Sequence, residues 1–143
     1  MSSVKRVGPG EAKELIDAGY TYVDVRSEPE FDAGHPLGAL NVPIAHMTAG
    51  AMVSNHDFLS VMTAVFAKDT PLVVGCKAGG RSLRAAQMLL DAGFTDVIDQ
   101  RAGFDGAPGA FGATDPGWSK LGLPVETGPT AGATYVEVKA RGR

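Results

Sequence analysis

The chain has 143 residues, 44% of them apolar and 20% charged, and its 13 basic and 16 acidic side chains leave a net charge of −3. That length suits one domain with a working core, the composition excludes disorder, and the charge offers no general attraction for nucleic acid. No run reaches the roughly eighteen apolar residues of a membrane span, and Met1 to Arg6 lacks the apolar stretch of a secretory leader, so no membrane partner and a cytoplasmic location are expected.

Short apolar runs alternate with helical patterns, which predicts an α/β fold of βα units around a mainly parallel sheet. Val4 to Val7 reads as a strand, and Ala12, Leu15 and Ile16 share the face of a first helix that Gly19 stops. Thr21 to Val25 is a second strand, followed by a brief helix over 28–33 with Ser27 and Glu30 as its capping box. Gly34 ends that helix. Ala39 to Val42 forms a short strand closed by Pro43, and a loop of about ten residues is expected after it. Asn55 caps a helix whose apolar stripe is Phe58, Leu59, Met62, Val65 and Phe66.

Pro71 to Gly75 is a continuous apolar run, as expected for the buried middle of a parallel sheet. Leu83, Ala86, Gln87 and Leu90 define the face of the next helix, Gly93 ends it, and Thr95 to Ile98 supply a fifth strand. Arg101 to Pro116, rich in Gly, Ala and Pro, reads as an irregular loop with one short helical turn, after which Trp118 and Leu121 to Pro124 fold back on the core. The expected organisation is a domain over 1–127 and a flexible tail over 128–143. Thr134 to Lys139 has strand-like composition, but the glycines beside it favour a mobile segment.

A single cysteine, Cys76, cannot form an internal disulfide, and with His35, His46 and His56 scattered it shows no metal-ligand spacing. It is either inert filling or a reactive thiol, and its neighbours decide. Cys76 ends the apolar strand and opens Lys77-Ala78-Gly79-Gly80-Arg81-Ser82 at a strand-to-helix junction, where open α/β sheets gather ligands. The glycines let successive N–H groups turn inward as an anion nest. The helix N-terminus, Lys77 and Arg81 add positive potential. Such surroundings lower a cysteine from about 8.5 toward roughly 3.5 to 7.5, so a solvent-accessible thiolate is expected. Neither the Walker nor the dinucleotide pattern is satisfied.

Three segments carry a family resemblance. Cys76 to Ser82 is similar to the Cys-x-x-Gly-x-Arg-Ser active loop of rhodanese-like sulfurtransferases. Asp24-Val25-Arg26 matches that family's strand-end triplet, with Glu28 to Phe31 as its acidic helix. Gly34 to Pro43 resembles its Gly-His-Ile-x-Gly-Ala-x-Asn-Ile-Pro signature, with Pro36-Leu37 in place of the usual order. The resemblance covers residues 4–126. It implies a rhodanese-like fold, a five-stranded mainly parallel sheet with helices on both faces, and sulfur carried on Cys76 as a persulfide. Arg101 to Phe104 and the insertion up to Trp118 depart from the family's Gly-Gly and Trp.

The resemblance also implies roles. Cys76 is the nucleophile, and Lys77, Ala78, Gly79, Gly80, Arg81 and Ser82 bind the substrate, Arg81 either by holding an oxyanion or by holding the loop. Asp24 and Arg26 form a supporting ion pair, and His35 pins the turn before Ala39. His46, Phe104, Phe111 and Trp118 line the entrance or pack in the core. The partners are a small anionic sulfur donor and a thiophilic acceptor, either cyanide, a small thiol or another protein. No metal or organic cofactor is required, and no oligomeric state is assigned. Two alternatives stand beside this reading. One is a phosphatase or arsenate reductase, whose comparable loop has one residue more between Cys and Arg. The other is a non-enzymatic binding module of the same fold.

Overall fold

A computed structural model describes residues 4–109 and 112–142. In chain order its first half holds β1 (Lys5–Val7), α1 (Pro9–Asp17), β2 (Thr21–Asp24), α2 (Glu28–Ala33), β3 (His35–Pro36), β4 (Leu40–Asn41), β5 (Ala45–Thr48), β6 (Ala51–Ser54) and α3 (Phe58–Val65). Then come β7 (Leu72–Gly75), α4 (Gly80–Asp91), β8 (Val97–Gln100), β9 (Gly106–Pro108), β10 (Thr114–Pro116), a 3-10 turn over Trp118–Lys120, β11 (Val125–Glu126) and α5 (Tyr135–Ala140).

The central sheet has five strands in the order β1-β8-β7-β2-β4, every pairing parallel. These are the five strands expected from the apolar runs, with β8 displaced two residues toward the C-terminus. Alternate residues face opposite layers, as a pleated strand covered on both sides requires. Val23, Leu72, Val74 and Val97 join one buried cluster with residues of α3, α4 and α5. Tyr22, Val73 and Ile98 join another with Ala12 of α1, Phe31 of α2 and Trp118. Helices thus cover both faces. Trp118 is wholly buried, meets Tyr22 edge-on at 5.7 Å and donates Nε1–H to the Pro124 carbonyl at 2.8 Å.

Three segments differ from expectation. The loop after Pro43 contains a hairpin, β5 paired with β6, turning through Ala49 and Gly50. Both turn residues have positive φ, the type I′ geometry that matches strand twist. Within 101–118 an antiparallel β9–β10 pair precedes the 3-10 turn, so that stretch is more regular than its composition suggests.

The third difference is the expected flexible tail, which carries α5 instead. Thr134 caps the helix by accepting from the Glu137 N–H at 3.4 Å, and the Glu137 carboxylate accepts from the Thr134 hydroxyl and from Gly132 N–H. That reciprocal cap offsets the cost of the neighbouring glycines. Tyr135 and Val138 are buried in the α3–α4 cluster, and Asn55 Nδ2 donates to the Tyr135 hydroxyl. A truncation tests the packing: Val138→Ala costs about 1–3 kcal/mol, as buried aliphatic truncations do. It is read as a lowered urea midpoint that a loose tail would leave unchanged.

Candidate active site

β7 is the middle strand of the sheet, and its last residue, Gly75, delivers Cys76 to the carboxyl end. The chain then turns within three residues into α4, because Gly79 takes a left-handed φ of 100°. A side chain is excluded there twice over: that φ disfavours any L-residue, and a Cβ would run into the Arg101 carbonyl. The turn aims the Gly79 N–H at Cys76 Sγ, 3.1 Å away, and lays the first turn of α4 over the sulfur. Amide and helix N-terminus both favour negative charge at that point.

Two expectations change here. Cys76 is 2% exposed, so its sulfur lies under the loop and not open at its rim. One amide of the loop, that of Gly79, bonds the sulfur in place of an inward ring. The cause is the rotation of α4, which buries Ser82, Ala85, Ala86 and Leu89 in place of the expected Leu83, Ala86, Gln87 and Leu90 face. That rotation turns the Ser82 hydroxyl inward, 3.4 Å from Sγ, while it donates to the Gly79 carbonyl at 3.3 Å.

The rest of the loop is held from outside. Arg81 makes a bidentate pair with Glu30, at 2.7 and 2.9 Å, and so fastens α4 to α2. Glu30 also closes the capping box with Ser27. Burial works to raise the Glu30 carboxyl, but the bonds from Arg81 and Ser27 outweigh it and bring it down to about 2. Ala78 and Gly80 are exposed. Lys77 projects outward, 58% exposed, with Nζ 3.9 Å from Asp105. It is the cation of the loop that no buried carboxylate occupies.

A second clamp acts on the backbone. Phe104 N–H donates to the Cys76 carbonyl at 2.7 Å and Asp105 N–H to the Lys77 carbonyl at 3.0 Å. Gly103 permits this approach, since a Cβ at its φ of 70° would strike the Lys77 carbonyl. Buried Gln100 fixes that bend by bonding both the N–H and the carbonyl of Gly103. Beside it Arg26 pairs with Asp24 at 2.6 Å, donates to the Gly34 carbonyl at 2.6 Å and stacks 4.5 Å from the Phe104 ring. Arg26, Glu30, Gly34, Lys77, Phe104 and Asp105 line a cavity of about 200 Å³ at the outer side of the loop. Cys76 is not on its wall.

With this geometry in hand the comparisons decide the family. The family model described as Rhodanese-like domain matches residues 8–107. The chain belongs to the rhodanese-like domain family. It is 40% identical over 115 residues to thiosulfate sulfurtransferase 16, chloroplastic, of Arabidopsis thaliana, across 80% of this chain and 87% of that protein. It is 41% identical over 115 residues to senescence-associated protein DIN1 of Raphanus sativus, where the match takes in 80% of this chain but 57% of the relative's length. Among solved structures, Rv0390 from M. tuberculosis superposes with a TM-score of 0.73 at 28% identity, covering 89% of this chain and all of that one. Relatives that carry the name thiosulfate sulfurtransferase support sulfur transfer in general.

His35 is wholly buried, stacked 3.6 Å from Phe31, with Nδ1 2.7 Å from the Phe31 carbonyl and Nε2 3.0 Å from Thr130 Oγ1. It therefore ties α2 to the segment after β11, and not the turn before Ala39. His46 lies on β5, 5.8 Å from the Tyr135 ring, and Trp118 is in the core. Phe111 lies outside the described residues. Among the described residues no helix is long and apolar enough to cross a membrane and no cluster of acidic, Cys and His side chains could hold a metal. Arg6, Asp99 and Gln100 around the loop escaped the sequence reading. An acid and an amide inside the run Val97-Ile98-Asp99-Gln100 were the available signal.

The Glu30 clamp sets an acid limit on the loop. Its carboxyl titrates lower in the folded protein than its ordinary 4.5, so it stabilises the fold fully above pH 4.5 and progressively less toward pH 2. Glu30→Gln flattens the fall in urea midpoint across that window, while the wild type keeps it.

Proposed function

We propose that Cys76 takes sulfane sulfur from a small anionic donor such as thiosulfate and passes it, as a persulfide, to a thiophilic acceptor. The carrying observation is Cys76 Sγ at the end of the central strand, 3.1 Å from the Gly79 amide and under the N-terminus of α4. In the first half-reaction the Cys76 thiolate attacks the outer sulfur of thiosulfate. The donor's S–S bond breaks and sulfite leaves with the electron pair. In the second, a thiol, cyanide or protein nucleophile attacks the outer persulfide sulfur and releases Cys76. The Gly79 amide and the helix N-terminus stabilise negative charge on the sulfur in both steps.

Arg81 supports sulfur over a tetrahedral oxyanion. Arg81 rests on Glu30 through one N–H of each Nη, and the four residues between Cys76 and Arg81, one fewer than in a phosphate loop, make a tighter ring that suits a sulfur better than a tetrahedral phosphate. Lys77, exposed at the rim, is the cation left to meet the donor's charge. We assign Asp24, Arg26 and His35 to support and Ala78, Gly79, Gly80 and Ser82 to the substrate cradle.

Intact mass spectrometry tests the reading. Excess thiosulfate adds about 32 mass units to the wild type and nothing to Cys76→Ser. Thiosulfate plus cyanide is turned over, and an aryl phosphate is not. Turnover of the phosphate ester alone overturns the proposal in favour of a phosphatase, and absence of any mass gain overturns it in favour of a binding module.

A further inference from the structure

The β5–β6 hairpin rises from the carboxyl end of the sheet, on the side of β2 away from β7. At its foot the Ile44 N–H donates to the Val25 carbonyl at 3.0 Å, and the Val25 N–H donates to the Gly75 carbonyl at 2.9 Å. Neighbouring strands lie about 4.8 Å apart, so the hairpin foot stands roughly 10 Å from Cys76. Between that foot, the start of α3 and the side of α4 opens a second cavity, of about 300 Å³.

Its floor is apolar, made by Ile44, Leu59 and Met88, and its rim carries Ser54, His56 and Arg84. Arg84 and Met88 are four apart on α4 and so share one face of that helix. Among the described residues no carboxylate lines the cavity, although acidic residues outnumber basic ones in the chain. Arg84 is exposed and, unlike Arg6, Arg26, Arg81 and Arg101, is matched to no carboxylate among the described residues. The nearest acid in sequence to His56 is Asp57, and it faces Lys139 of α5 at 3.7 Å. In either tautomer His56 offers a ring N–H.

Strand pairing extends this cavity outward. Ala45 stands opposite Ser54 and Met47 opposite Met52, and residues two apart on a strand share a face. Ser54 lines the cavity, so Met47 and Met52 continue its wall toward the hairpin tip. The other face is fixed independently: His46, opposite Val53, lies 5.8 Å from the Tyr135 ring of α5. Both methionines are exposed. An exposed apolar strip running into a notch with a polar rim marks an interaction site, and flexible methionine suits adaptable contact.

We propose that this groove docks the protein that accepts sulfur from Cys76, through a segment presenting an apolar side chain between carboxylates. The assignment rests on the sulfur-transfer reading above. The apolar side chain fills the notch over Ile44, Leu59 and Met88, and the carboxylates meet Arg84 and His56. Three features select this occupant. Cationic groups without acidic neighbours favour an acidic segment. A strip that runs past the cavity favours a protein, since a small thiol would leave both methionines in water. The short span to the loop favours the acceptor, because three extended residues at about 3.4 Å each bridge it.

Methionine-methyl NMR and a transfer assay test this with a synthetic peptide that carries a central Leu between Glu residues and a terminal Cys. Titration with a version ending in Ser shifts the methyls of Met47, Met52 and Met88 and leaves that of buried Met62 in place. Counterparts with Lys for Glu, or Ser for Leu, bind about tenfold more weakly or worse. Arg84→Glu and Met52→Asp each weaken binding about fivefold or more, whereas Lys5→Glu on β1 leaves it unchanged. An unmoved Met62 signal shows that each variant is folded. The Cys-ended peptide strips the thiosulfate-derived mass from the wild type faster than its Lys counterpart does, and Arg84→Glu removes that difference.

Shifts confined to other methyls, equal binding of the Lys counterpart, or equal stripping by both peptides overturns the proposal. Binding of 4-phenylbutyrate as tight as that of the peptide overturns it in favour of a small-carboxylate site. Sedimentation as a dimer that Met52→Asp dissolves overturns it in favour of a second copy of this chain. The binding arm involves no sulfur, so the two readings fail separately. Localised peptide binding without any thiosulfate-dependent mass gain sustains the groove and sinks sulfur transfer. A mass gain without peptide binding does the reverse.

Discussion

The left-handed backbone at Gly79 is the constraint on which the site depends. Through it the chain leaves the central strand and enters α4 in three residues, so that one amide and one helix N-terminus converge on the same sulfur. Its N–H faces Cys76, and its carbonyl receives Ser82 and Arg6. A single peptide orientation thereby links the thiol to α4 and to β1. No residue with a side chain could adopt that turn, because the Arg101 backbone fills the space.

Around that turn three arginines from three elements are each matched to a carboxylate: Arg6 to Asp99, Arg26 to Asp24 and Arg81 to Glu30. The Arg26–Asp24 pair is buried on both sides and the other two in part; such pairs contribute little net stability, because desolvation offsets attraction, but removing one partner strands the other charge. Their service here is geometric. Arg81 fastens the loop to α2, and Arg26 props Phe104, whose backbone holds the Cys76 carbonyl. The group that bonds the sulfur directly is a backbone amide, that of Gly79, rather than any of these guanidinium groups.

The strands were legible because buried parallel strands are written as short apolar runs, and that continuity breaks where polar groups serve the site: Leu72 to Gly75 is wholly apolar, whereas Val97 to Gln100 carries Asp99 and Gln100. The α2 capping box was equally plain, since Ser27 and Glu30 stand at the required spacing. The β5–β6 hairpin was hidden because Ala49 occupies a positive-φ turn position usually marked by Asn, Asp or Gly. Helix α5 was hidden by β-branched residues and nearby glycines, although Thr134 and Glu137 repeat the spacing that announces α2. In the site, the cysteine and its glycines were visible locally. The burial of Cys76 was not, because it follows from the rotation of α4, and that rotation is set by packing across the sheet.

One contact of the C-terminal segment reaches beyond the site. β4 is the outermost strand on its side of the sheet, and an unpaired outermost strand is a template on which another chain can add. The Asn41 N–H, which would otherwise recruit such a chain, is taken by the Ala133 carbonyl at 2.9 Å, and α5 lies against β4. On the opposite flank β1 presents exposed Lys5, a charge that discourages strand addition. The segment just past the rhodanese-like core thus works as a stopper, ending the sheet at β4 and keeping its backbone from polymerising with that of a neighbour.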